Sequence, residues 1–430
     1  MKKYLFIIGI TAAMFAACSG NEDVLTQDIT DPVDETNATR EELMGDVPIE
    51  FAGVDVGMKM DVEVEEGTRG VTATEIPETQ QLGVFCLAYK KLDDALGISY
   101  LNWETGATYK ALTRWQENAK AHVQLNSENK GLLCWDERDT PCYYPKSNKF
   151  AYEFVAYQPY TEAVEYQKST ITAWIPLDGD DDIMYAVSDK PRGVGELAAN
   201  AYGSLFFDDV KTNMGVITLD QKPYFRFRHL LSKLVFNVKL KAGASTSGHT
   251  FRVDRISLRN VGNIGRLTLA TKDTNGSSIE NGAFSCFYDV NGSKVPEAVR
   301  PYLISKGAEG RGTFWLREQD GTSISDLKDG DDYKYVLTTD PKTIGYGIFI
   351  PTSAGALKMD IVLCDENGKR TTSEEAIPIS IPTGGWQAGS YYNINVSITP
   401  PKYFMDETRG QVDNWEAGVE VTNGDIEVAF

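Results

Sequence analysis

Residues 223–240 read PYFRFRHLLSKLVFNVKL, and the alternation in them settles the fold class. Phenylalanine, leucine and valine alternate there with arginine, lysine and asparagine. A period of two puts successive side chains on opposite faces of a strand. The same pattern returns in VPIEFAGVDV (47–56), QLGVFCLAYK (81–90), KFAYEFVAYQPY (149–160) and HTFRVDRISLRNV (249–261). It continues in IGYGIFIP (344–351), LKMDIVLCD (357–365) and YYNINVSI (391–398). Turn sequences such as GDDD (179–182) and ENGK (366–369) separate these runs, and the nearest helical candidate is KALTRWQENAKA, residues 110–121. Many short strands without β–α alternation predict an all-β protein built of β-sandwiches. A boundary near residue 218 divides the body into comparable halves, 47–218 and 219–430.

The N-terminus sets the compartment. Lys2 and Lys3 precede a 14-residue apolar run, Tyr4 to Ala17, shorter than the roughly 20 residues of a bilayer span. Charged start and short apolar run are the layout of a secretory signal, residues 1–17. Phe15-Ala16-Ala17-Cys18 resembles the lipobox of bacterial lipoproteins, in which the cysteine sulfur takes a diacylglycerol; further acylation (palmitate) makes such an anchor lasting. Residues 18–46 are acidic with few apolar positions and read as a flexible tether. Glu22 and Asp23 loosely match an acidic signal for transfer to the outer face of an outer membrane.

Charge and composition narrow the function. With 62 acidic against 42 basic residues the net charge is −20, which argues against nucleic acid or an anionic lipid surface as partner. Beyond Cys18 come Cys86, Cys134, Cys142, Cys286 and Cys364. An odd, scattered set is no disulfide framework; Cys134 and Cys142 could bridge a hairpin, but free thiols in strands fit better. No nucleophile, phosphate or dinucleotide motif occurs, and no catalytic residue, metal ligand or cofactor is assigned. His122, His229 and His249 share no ligand spacing, and His229, inside a strand run, reads as a hydrogen-bonded structural residue. The runs Asp178–Asp182 and Asp329–Asp332 lack regular Ca²⁺-ligand spacing and read as solvated turns.

Two features say more. In VEVEEGTRGV (62–71), Arg69 stands before Gly70 in an acidic, aperiodic link, where proteolysis concentrates. At the C-terminus, VEVTNGDIEVAF (419–430), Asn423-Gly424 signals a type I′ hairpin. Ile426, Val428 and Phe430 share one face of its last strand. Such a strand either closes its own sheet or is offered to a neighbour.

The chain resembles the fimbrillin family, the Mfa-like lipoproteins related to type V pilus subunits. The resemblance rests on the lipobox at Cys18, TRG (68–70), LGVFCLAY (82–89), YYPKSNKFAYEFVAYQPY (143–160) and DIMYA (182–186). FRFRHLLSKLVFNV (225–238), GGWQAGSYYNINVSI (384–398) and VDNWEAG (412–418) follow in order. It implies two Greek-key β-sandwich domains of transthyretin-like type and a structural, non-enzymatic role. It also implies a mechanism. An N-terminal plug strand, with Ile49, Phe51 and Val54, fills a groove until an Arg-specific protease cuts after Arg69. A donor strand from another fimbrial subunit, with Ile426, Val428 and Phe430, then takes its place. A second arginine, Arg409 in ETRG (407–410), stands in a similar setting. The alternative is a surface glycan-binding lipoprotein of a nutrient-uptake system, with Trp103, Trp115 and Trp135 as candidate stacking platforms.

Overall fold

The computed structural model describes residues 34–56, 80–91, 102–136, 142–189, 202–203, 221–316, 328–349, 357–400 and 425–429, with short gaps inside several of these stretches. The protein is almost wholly β. One sheet of seven strands runs in the order β2 (Gly53–Val56), β11 (Tyr224–His229), β10 (Met184–Val187), β7 (Phe150–Gln158), β3 (Leu82–Lys91), β4 (Arg114–Leu125) and β5 (Gly131–Trp135). β1 (Met44–Pro48) pairs separately with β6 (Tyr143–Pro145).

A four-stranded sheet has the order β21 (Lys342–Phe349), β12 (Ser232–Leu240), β25 (Tyr391–Thr399) and β26 (Asp425–Ala429). Six strands form another: β17 (Arg311–Trp315), β13 (Arg252–Gly262), β22 (Leu357–Cys364) and β23 (Arg370–Thr372), with β20 (Tyr335–Val336) on β13 and β24 (Ile377–Ile379) on β22. Five more join β15 (Ile279–Glu280), β14 (Ile264–Lys272), β9 (Thr170–Pro176) and β8 (Val164–Tyr166), with β16 (Phe284–Phe287) on β14. β18 (Lys328–Asp329) and β19 (Asp332–Tyr333) pair antiparallel at the second acidic run. Among the described residues the helices are short: α1 (Arg40–Leu43), α2 (Lys110–Thr113) and α3 (Arg300–Ser305). Among the described residues no helix is long and apolar enough to cross a membrane.

Both faces of the seven-stranded sheet are covered, which explains why β7 is apolar almost throughout. Every residue of β7 is buried. Tyr152, Phe154 and Ala156 face one cluster, together with Leu82, Val84 and Cys86 of β3. Ala151, Val155 and Tyr157 face the other, together with Phe85 and Leu87. The second cluster continues through Ile171 and Ile175 into Leu234, Phe236, Ile256, Met359 and Val396. Sequence neighbours in one strand thus serve two cores, as strict alternation requires.

Three expectations are redrawn. The helical candidate 110–121 keeps only one turn, α2, and then runs straight into the long strand β4. The tether expected over 18–46 is folded from residue 34 onward. Thr39 and Glu42 cap α1 reciprocally, and Leu43 is buried; a capping box followed by an apolar residue is the local signal for that turn. Finally, the chain changes sheets at Leu230 and Leu231, a dozen residues beyond the boundary read near 218, because β11 pairs with β10 and β2. The halves also share a sheet, for β9 pairs with β14 from Pro176–Ile264 to Thr170–Thr271.

Candidate assembly site

The N-terminal segment is built into the first core rather than laid upon it. Ile49 and Phe51 are 2% and 6% exposed, and Val54 is half-buried against the same cluster. The Phe51 ring meets Trp135 at 5.0 Å, Phe225 at 5.4 Å and Phe154 at 5.5 Å between centroids. Backbone bonds fix the register. Ile49 N–H donates to the Cys142 carbonyl at 2.6 Å, and Ala52 N–H donates to that of Pro223 at 2.9 Å. The Trp135 Nε1–H donates to the Ile49 carbonyl at 3.0 Å. Ion pairs flank the segment, Lys222 with Glu50 at 2.5 Å and Lys149 with Glu35 at 2.6 Å.

β2 bridges two sheet edges. It runs parallel to β11, with Gly53 opposite Tyr224, Val54 opposite Phe225, Asp55 opposite Arg226 and Val56 opposite Phe227. Its other side lies against β5 at the far end of the sheet. A Cβ on Gly53 would stand 3.2 Å from the Gly131 carbonyl oxygen and 3.3 Å from the Tyr224 ring. A Cβ on Gly131 would stand 2.7 Å from Val54 Cγ2. Glycine on both strands leaves room for this close approach, Gly131 beneath the Val54 side chain and Gly53 beside the Gly131 carbonyl.

The C-terminal strand has the opposite character. β26 forms the margin of its sheet and pairs in parallel with β25, placing Ile426 opposite Val396 and Val428 opposite Ile398. Phe430 and the Asn423-Gly424 turn lie outside the described residues, as do Cys18, Arg69, Gly70 and Arg409.

The other candidate groups have structural partners. Each histidine meets its own carboxylate: His122 with Asp136 at 2.5 Å, His249 with Glu366 at 2.6 Å, and His229 with Asp182. Among the described residues no three His, Cys, Asp or Glu side chains gather as a metal centre. Cys86 and Cys364 are fully buried, and Cys134, Cys142 and Cys286 partly so. Burial pushes the Cys86 thiol well above its ordinary range.

Trp103 and Trp115, offered as stacking platforms, are fully buried and donate to the carbonyls of Ala88 and Tyr143. Trp135 holds Ile49 and Phe51. Amphipathic indoles whose N–H reaches a backbone carbonyl are core anchors here. Trp135, read in the sequence as a stacking platform, is instead the partner of Phe51 and Ile49; Leu43 and the Gly53–Gly131 approach were missed, since each depends on a partner distant along the chain.

The fimbrillin-like family model matches residues 89–422. None of the curated proteins compared with the chain matches it. Among solved structures it is similar to a candidate cell adhesion protein of Bacteroides fragilis NCTC 9343, at 12% identity and TM-score 0.39, covering 87% of this chain and 100% of that one. A fimbrial protein of Bacteroides vulgatus ATCC 8482 matches at 14% identity and TM-score 0.36, covering 81% and 94%. The fimbrial anchor protein Mfa2 of Porphyromonas gingivalis matches at 9% and 0.26, covering 75% and 80%. With most of its length matched by one family model, the chain belongs to the fimbrillin-like family.

Proposed function

We propose that the protein is a structural or accessory subunit of surface fimbriae, delivered as an outer-membrane lipoprotein through Cys18 and matured by Arg-specific cleavage between Arg69 and Gly70. The seating of Ile49, Phe51 and β2 between β11 and β5 carries this reading. Loss of the segment would bare an apolar cleft and the unpaired backbone of β11, both costly in water. A strand from the C-terminal region of the next subunit would restore them, and head-to-tail addition of this kind builds an open filament.

The test is to treat the purified chain with an arginine-specific protease and follow its mass in solution. Cleavage after Arg69 is expected to give polymers, and polymerisation is expected to be lost on deleting residues 419–430. A cleaved chain that stays monomeric overturns the assembly reading. Metabolic labelling with palmitate, lost in Cys18→Ala, tests the anchor separately.

A further inference from the structure

The five residues that enter and form β2 are Ala52-Gly53-Val54-Asp55-Val56, and the C-terminal region contains Ala417-Gly418-Val419-Glu420-Val421. Four of these five positions are identical, and the fifth exchanges one carboxylate for another. Resting on the assembly reading above, we infer that the strand which replaces β2 is residues 417–421 of a second copy of this chain, parallel to β11 with Gly418 in the place of Gly53.

The site is selective at that glycine. Gly53 has the Gly131 carbonyl oxygen and the Tyr224 ring within 3.3 Å of where a Cβ would stand. Glycine is therefore the residue an incoming strand can place there without displacing either neighbour. The next position fills the space over Gly131, where Val54 Cγ2 lies, and Val419 supplies the same group. Glu420 then stands in the register of Asp55, opposite the exposed Arg226.

The terminal strand itself fits less well. Setting Gly424 against Gly131 puts Asp425, not valine, into Val54's half-buried place, and burying an unpaired carboxylate is expensive. Division of labour between the two segments follows: 417–421 enters the neighbour, while β26 remains on its own β25. Reach is sufficient, because the 17 residues between Pro400 and Gly418 can span up to about 55 Å when extended.

Disulfide trapping tests the register on the full chain. Arg226→Cys is combined with Glu420→Cys in one variant and with Glu427→Cys in another, and both are cleaved with an arginine-specific protease and mildly oxidised. The native thiols give the same background in each. The Glu420→Cys variant is expected to yield a ladder of linked multimers, and the Glu427→Cys variant only the background. Equal or stronger linkage through Glu427→Cys overturns the assignment and leaves strand donation standing. Linkage confined to monomers assigns the strand to the same chain and overturns the second copy as occupant. Polymers that form without either link also overturn it. A chain that stays monomeric takes the assembly reading down as well. Independently, Gly418→Val is expected to lower polymer yield about tenfold, the scale of one overpacked contact, whereas Gly424→Val leaves it unchanged. Equal effects of the two overturn the assignment.

Discussion

Trp135 and Phe51 pack with ring centroids 5.0 Å apart and planes inclined at 57°. One residue ends β5 and the other belongs to the N-terminal segment, so this indole reports whether the segment is seated. Removal of the segment after cleavage is expected to shift tryptophan emission to the red. The shift should vanish in Trp135→Phe, measured under the same digestion. An unchanged spectrum in the wild-type chain would mean that the segment stays in place after cleavage.

The segment is held by burial more than by charge. Phe51→Ala is expected to destabilise the intact chain by about 3–5 kcal/mol, the usual cost of emptying an aromatic core site. Lys222→Ala breaks the pair with Glu50, whose side chain is 57% exposed, and is expected to cost less than about 1 kcal/mol. Chemical unfolding of the two variants compares them directly. A larger loss for Lys222→Ala would reverse the ranking.

Gly83 lies beneath an aromatic ring. A Cβ there would stand 2.2 Å from Tyr157 Cε1 and 2.6 Å from Asn118 Oδ1. Tyr157 cannot yield freely, because its hydroxyl donates to Asn118 at 2.8 Å. Gly83→Ala is expected to lower stability by about 1–3 kcal/mol through overpacking, read as a fall in Tm. A neutral Tm would show that the ring can tilt away at no cost.

The junction between β11 and β12 is predicted to respond to pH. Burial disfavours the His229 imidazolium, but the hydrogen bond and charge of Asp182 outweigh it, so the net shift is upward. Lys233 also faces this pair, its own pKa pushed down to about 8 by burial. A raised histidine pKa stabilises the fold fully below its ordinary value of 6.5 and loses that contribution as pH rises through the folded value. The difference in Tm between wild type and His229→Gln should therefore shrink as the pH rises above 6.5 and through the folded-state value. A difference that grows across this range would refute the assignment.

How far the fold could be read from the chain depends on the range of each pairing. In β12 the burial pattern alternates as the letters do, and β7 reads as apolar because both its faces are covered. β4 was obscured by two irregularities in its ladder. Between the pairs Val84–Ala119 and Cys86–Gln116 it carries one extra residue, and between Cys86–Gln116 and Leu87–Arg114 a second; Asn118 adopts φ 50°. Each inserted residue reverses the faces on either side of it, so the period of two is lost over residues 114–121. Of the N-terminal segment, Ile49 and Phe51 were legible as alternating apolar positions, while Val54 falls out of that phase. The segment's parallel partner β11 was not legible, since nothing in a strand's own sequence names a partner so distant along the chain. The same holds for β26, for which an antiparallel hairpin was expected and whose described partner is the parallel β25.

The ladder between β9 and β14 also orders events in time. A chain emerging from its N-terminus first presents β2 without β11, and β9 without β14. The seven-stranded sheet cannot be completed until His229 at the end of β11 has emerged, nor the β9–β14 ladder until about residue 272. Pairings of such long sequence separation are slow to form. The first half therefore closes late, only once the opening strands of the second half have been made.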